Sequence, residues 1–175
     1  PPVAMRLHNA AKLAVRGEKV YVTLANLELA DCGYGMTGYC KPAGNGKLAV
    51  IDTADGDAVS IVDLTSACKN PGAIYVSGDQ AWVACGSFGF PDEAPGAVVR
   101  VDLSGATPAV AAVVDASAIV PGGLAVCNGK GYVTDQGSGK VIRFDTATGL
   151  VDISDRTVCP TVYFAWAADV ACPAQ

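Results

Sequence analysis

The chain has 175 residues, long enough for one domain with a substantial core and too short for two of ordinary size. Hydrophobic residues make up 51% of it and charged residues 17%, a packing composition that excludes a disordered chain. The formal charge is −5 and the 12 Lys and Arg are scattered singly, which excludes the clustered basic surface that nucleic-acid binding requires.

In chain order, residues 1–8 open on Pro1-Pro2 rather than on a basic residue and an apolar run, so any signal peptide is expected to have been removed already. A first strand is predicted over 12–15, a tight turn at Arg16-Gly17-Glu18 and a second strand at Val20-Tyr21-Val22. A long polar and glycine-rich stretch, "ANLELADCGYGMTGYCKPAGNG", then leads to a third strand over 48–52 that ends in Asp52. The turn "TADGD" opens a weaker fourth strand. The same order returns twice. Strands over 73–76, 81–83 and 98–102 flank the turn Ser77-Gly78-Asp79 and the insertion "CGSFGFPDEAPG". Strands over 123–126, 131–133 and 141–145 flank Asn128-Gly129-Lys130 and the short connection "DQGSG". No window sustains the i, i+3, i+4, i+7 pattern of an amphipathic helix, and no apolar run is long enough for a membrane span.

Four short antiparallel strands per unit, repeated every 40 to 60 residues or so, is the pattern of β-propeller blades. A four-stranded sheet cannot bury both faces alone, so each must pack face to face on its neighbours. The fold class is therefore all-β, a propeller of about three to four blades in a single domain spanning 1–175. Blades are expected over 9–68, 69–119 and 120–158, with part of a fourth over 159–175 and residues 1–8 as an outer strand of a preceding blade. A β-sandwich is the alternative that short, evenly spaced strands also allow. So few blades do not close a ring. The open arc would expose an apolar blade face, and another copy, a second chain or further sequence is expected to complete it.

The segments "VYVTLAN", "GYVTDQGSGKVIRFDTATG" and "GKLAVIDTADGD" resemble the YVTN repeat of lactonase-like and surface-layer-type β-propellers, over roughly residues 10–163. The resemblance implies the fold. It implies much less about activity, since such repeats occur in enzymes, in cofactor-bearing dehydrogenase subunits and in plain binding modules.

Seven cysteines, several beside Gly or Pro, point to an oxidising compartment and hence to a secreted or periplasmic protein. In a propeller the second-to-third connections and the blade-to-blade connections share one face. That topology places Cys68 and Cys159 beside Cys85 and Cys172, predicting disulfides Cys68–Cys85 and Cys159–Cys172, with Cys32–Cys40 closing a ring inside the first long loop. Cys127 is left over and is expected as a free, buried thiol.

Catalytic motifs are scarce. The one histidine, His8, sits on the expected outer strand, which argues against a Ser-His-Asp or Cys-His arrangement. No CxxC pair suggests zinc, so no metal site and no cofactor are expected. "GSGK" has Val141 where a phosphate loop needs Ser or Thr, and a strand follows it. "DTADGD" has the alternating carboxylates that begin a calcium loop but lacks the later glutamate; a β-turn explains it, with calcium the cofactor kept open. Asp52, Asp102 and Asp145 recur once per unit and are expected to accept backbone N–H groups two residues on. The candidate binding surface is the long-loop face, with Tyr34, Met36, Tyr39, Phe88 and Phe90 beside Asp92 and Glu93. The expected function is an extracellular or periplasmic binding or assembly module. The alternative is an enzyme or enzyme subunit of lactonase-like or quinoprotein-dehydrogenase type, completed by other blades or chains.

Overall fold

The computed structural model describes residues 6–28, 41–86, 94–136 and 139–157. Within them the chain is all-β. Strands β1 (Arg6–Arg16), β2 (Lys19–Glu28), β4 (Lys47–Asp52) and β5 (Ala58–Asp63) pair in that order as blade A, and the two-residue β3 (Lys41–Pro42) adds to the end of β2. Blade B is β6 (Pro71–Ser77), β7 (Gln80–Cys85), β8 (Ala97–Asp102) and β9 (Ala109–Asp115). Blade C is β10 (Pro121–Cys127), β11 (Lys130–Asp135), β12 (Lys140–Asp145) and β13 (Val151–Thr157). Every pairing is antiparallel and joins strands of one blade. The repeats therefore make separate sheets that stack on one another, as in an open propeller.

Residues 6–8 depart from expectation. They do not form an outer strand of a preceding blade but continue β1, with His8 opposite Asn26 and Leu7 opposite Leu27. The hidden element is a register shift between Ala10 and Leu13, which lets one strand run on past the predicted start. The same irregularity recurs between Pro71 and Ile74 and between Pro121 and Leu124.

The first-to-second strand turns are two-residue hairpins. Asn128 and Gly129 both take positive φ, as a type I′ turn requires, while Gly17 and Gly78 take it at the first turn position only. Each turn after a third strand is fixed by its aspartate. Asp52 accepts from Ala54 N–H at 3.1 Å, Asp102 from Ser104 at 2.9 Å and Asp145 from Ala147 at 3.0 Å. The expected Asx geometry is thus present at all three positions, and Asp63 and Asp115 repeat it after the fourth strands.

Blade B shows why both faces of its strands are apolar. Ala81, Val83, Val99 and Val101 face blade A and pack with Tyr21, Leu48, Val50 and Val62. The intervening Trp82, Ala84, Val98 and Val114 face blade C and pack with Leu124, Val133, Ile142 and Phe144. A side-chain period of two, buried on both sides, yields a continuous hydrophobic strand. Within blade C the facing pair Gly131–Phe144 replaces Ala81–Val101 of blade B. A Cβ at Gly131 would overlap the Phe144 ring, so the glycine makes room for an aromatic that lies 5.2 Å from Trp82 between ring centroids.

Candidate functional site

Both long connections start at the same end of neighbouring blades. The first leaves β2 at Glu28 and returns at Lys41, opposite it in the ladder; the second leaves after Gly86 and returns at Ala94, just before β8. Their roots are tied together. Gly46 donates to the Cys68 carbonyl at 2.6 Å, Gly86 donates to the Asn70 carbonyl at 3.1 Å, and Asn70 Nδ2 returns a bond to the Gly86 carbonyl at 2.9 Å. Cys68 and Cys85 form the expected disulfide, fully buried between blades A and B. The topology of a propeller brings them there: Cys85 ends a second strand and Cys68 lies on the connection into that blade.

Tyr34, Met36, Tyr39, Phe88, Phe90, Asp92 and Glu93, and the expected pairs Cys32–Cys40 and Cys159–Cys172, lie outside the described residues. Cys127 is corrected. It is disulfide-bonded, not a free thiol, and its partner lies outside the described residues. Counting cysteines by strand position left Cys127 over because it ends a first strand, where the topology offered no second described cysteine.

One buried acceptor at the loop roots is unmet. Asn26 Oδ1 is buried and has no hydrogen-bond partner, although the Asn26 backbone carbonyl accepts from Ala43 N–H at 2.8 Å. The opposite end of the blades is charged. A cleft of about 460 Å³ between blades A and B is lined by Arg16, Glu18, Lys19, Asp52 and Asp79. Arg16 bridges the blades to Asp79 at 3.3 Å, and Lys19 lies 3.6 Å from Asp52. In blade C, Lys130 contacts Asp145 and Asp152, each at 3.1 Å, and Arg143 contacts Asp152 at 2.7 Å. The Thr148 backbone N–H, followed by the Lys130 ammonium, holds the Asp145 carboxyl down at about 2. Asp152 is lowered chiefly by Arg143. These carboxylates are charged and paired, an arrangement suited to fixing turns, not to exchanging protons at neutral pH. Among the described residues no three His, Cys, Asp or Glu side chains converge as a metal site. The Asp52 carboxylate of "DTADGD" is engaged by Ala54 N–H and Lys19.

The sequence reading missed the role of the threonine in Tyr-Val-Thr. The buried Thr23 hydroxyl accepts from Lys12 N–H at 3.1 Å, inside the irregularity of β1, and donates to the Gly72 carbonyl of blade B at 2.9 Å. Thr134 accepts from Gly123 N–H at 2.8 Å at the matching place in blade C. Its recurrence after Tyr-Val was the available signal.

No family model and no curated protein matches the chain. Solved structures do. The structure of apo AztD from Citrobacter koseri superposes with a TM-score of 0.52 at 16% identity, over 86% of this chain and 47% of that one. Its fold is similar to that of AztD. A crystal structure of Citrobacter koseri AztD gives a TM-score of 0.48 at 16% identity, over 83% of this chain and 46% of the other. The chain thus spans less than half the length of the structures it matches.

Proposed function

We propose that the chain is a secreted or periplasmic β-propeller segment of the YVTN-repeat, lactonase-like kind, serving as a binding or assembly module that engages its partner on the long-loop face. The observation that supports this reading is the shared root of the two long connections, which leave neighbouring blades at one end and are joined there by the buried Cys68–Cys85 bond. Connections of this length in a compact domain are usually functional when they are ordered. The unmet Asn26 acceptor lies at the same end, where a ligand or water can satisfy it. Disulfides persist in oxidising compartments, which supports the localisation.

The test is site-specific photocrosslinking in the producing cell. A photoreactive residue at Tyr34 or Phe88 is expected to yield a discrete adduct, while the same residue at Asp79, on the opposite end, yields none. Adducts from Asp79 alone, or from no position, would refute the loop-face reading. The enzyme alternative makes a different demand: stoichiometric calcium or a redox metal in elemental analysis of the purified protein.

A further inference from the structure

Among the described residues each blade ends in an outer strand: β5 in blade A, β9 in blade B and β13 in blade C. An unprotected outer strand offers its backbone N–H and C=O groups to any extended chain, and soluble proteins blunt such edges with bulges and charges. Blades B and C do so. β9 carries an extra residue, Ala111, between the paired Val110 and Ala112. β13 shifts register twice against β12 and contains Asp152, Asp155 and Arg156. β5 has neither device. It pairs with β4 in unbroken register from Ala58 to Asp63, and Ala58 to Val62 hold no charge and no proline.

The hydrogen-bond phase of that ladder shows which groups face outward. Leu64 donates to the Gly46 carbonyl at 3.0 Å, so the alternate residues Val62, Ser60 and Ala58 are the ones bonded towards β4. Val59 and Ile61 therefore turn their N–H and C=O away from the sheet. Their side chains are open too, at 60% and 52% exposure. Acids stand at both ends of this short apolar edge: Asp55 and Asp57 in the turn before it and Asp63 at its end, all exposed. Asp63 Oδ1 accepts from Asn45 Nδ2 and from Thr65 N–H, and Lys47 lies opposite Asp63 in the ladder. Asp55 and Asp57 form no ion pair among the described residues.

These charges select the occupant. A second copy of β5 in the central antiparallel register would set Asp57 of one copy against Asp63 of the other at both ends, and like charges so placed oppose pairing. A strand with basic ends meets opposite charge there instead. We propose that the edge of β5 captures an extended segment of a partner protein by antiparallel strand addition. The segment carries β-branched residues opposite Val59 and Ile61, and a Lys or Arg beside Asp57 and beside Asp63. Main-chain bonds supply the affinity and the carboxylates the specificity. The proposal is independent of the loop-face reading, because it uses the outer rim of blade A and not the end where the long connections leave.

Two measurements on the whole chain test it. In amide hydrogen exchange of the free protein, Val59 and Ile61 are expected to exchange much faster than Ser60 and Val62. The probe is the labelled peptide Lys-Thr-Val-Thr-Val-Thr-Lys, followed by fluorescence anisotropy. It is expected to bind and to protect the Val59 and Ile61 amides, while the same peptide with Glu at both ends binds roughly tenfold more weakly or worse. Ile61→Pro removes an outward N–H and no bond to β4, so it is expected to abolish binding with circular dichroism unchanged. If that variant does not fold, Ile61→Lys, which keeps the backbone and repels the basic probe, supplies the same reading. Slow exchange of Val59 and Ile61 in the free chain overturns the proposal, whether a second copy or another segment of the chain covers the edge. So does a basic-ended peptide that fails to bind, that binds the substituted chain as well as the wild type, or that binds no better than its Glu-ended counterpart.

Discussion

Gly131 and Asp145 show how much single residues decide. Glycine at 131 leaves the volume that Phe144 fills, and the ring in turn meets Trp82 of the neighbouring blade. Gly131→Ala forces the ring out of that slot and is expected to lower stability by about 1–3 kcal/mol, the usual range for overpacking, as read by chemical denaturation. Asp145 carries a pH dependence whose sign follows from its partners. Its carboxyl is held at about 2 in the fold, by Thr148 N–H first and Lys130 second. In the unfolded chain it reverts to about 3.9. Its contribution is therefore complete above about pH 4 and lost as pH falls from about 4 towards 2. Asp145→Asn is expected to flatten the acid limb of the stability profile in that window. Carboxyl NMR of the wild type should show Asp145 titrating well below the ordinary aspartate range.

At the scale of the element, the same hydroxyl solves the same problem in two blades. Each inner strand contains a register shift that strands a backbone N–H, and Thr23 and Thr134 accept from it in blades A and C. Blade B has Ala84 at the matching position. Thr23→Val preserves shape and removes the buried hydroxyl, leaving the Lys12 N–H and the Gly72 carbonyl without their bonds to it. A loss of about 1–3 kcal/mol is expected, the range for a buried polar group left unpaired, measured by urea denaturation. The connections at the other end depend on covalent closure. Cys68–Cys85 spans 17 residues, for which chain-entropy estimates give about 3 kcal/mol. Cys68→Ala with Cys85→Ala should lower stability by about that amount under non-reducing conditions, and a reductant should then have a smaller effect than on the wild type.

The described blades are held together through blade B. Its second and third strands contribute alternate residues to two cores, one shared with blade A and one with blade C. Neither neighbour can separate without opening a face of the same strands, so calorimetry is expected to show one cooperative transition for the described blades. Trp82→Ala, which empties the largest fully buried side chain and removes the contact with Phe144, should lower stability by about 3–5 kcal/mol.

Strand existence, hairpin turns, the Asx aspartates and the stacking of separate sheets were legible in the sequence, because each rests on local chemistry repeated three times. Val-Tyr-Val, Ala-Trp-Val and Gly-Tyr-Val announce a second strand by alternation and position, and the aspartates announce turns by what their side chains reach two residues away. The disulfide Cys68–Cys85 followed from topology for the same reason. What only the tertiary structure decided depends on contacts between distant segments. The continuation of β1 through residues 6–8 needed the register shift that no local pattern announces. The bonded state of Cys127 was not indicated by its strand position. Which aliphatic side chains meet water was also undecidable from composition, since the exposed Leu13 is as aliphatic as the buried Leu124 at the matching position of blade C. Local chemistry chooses the strand and the turn; only packing decides which side of it meets water.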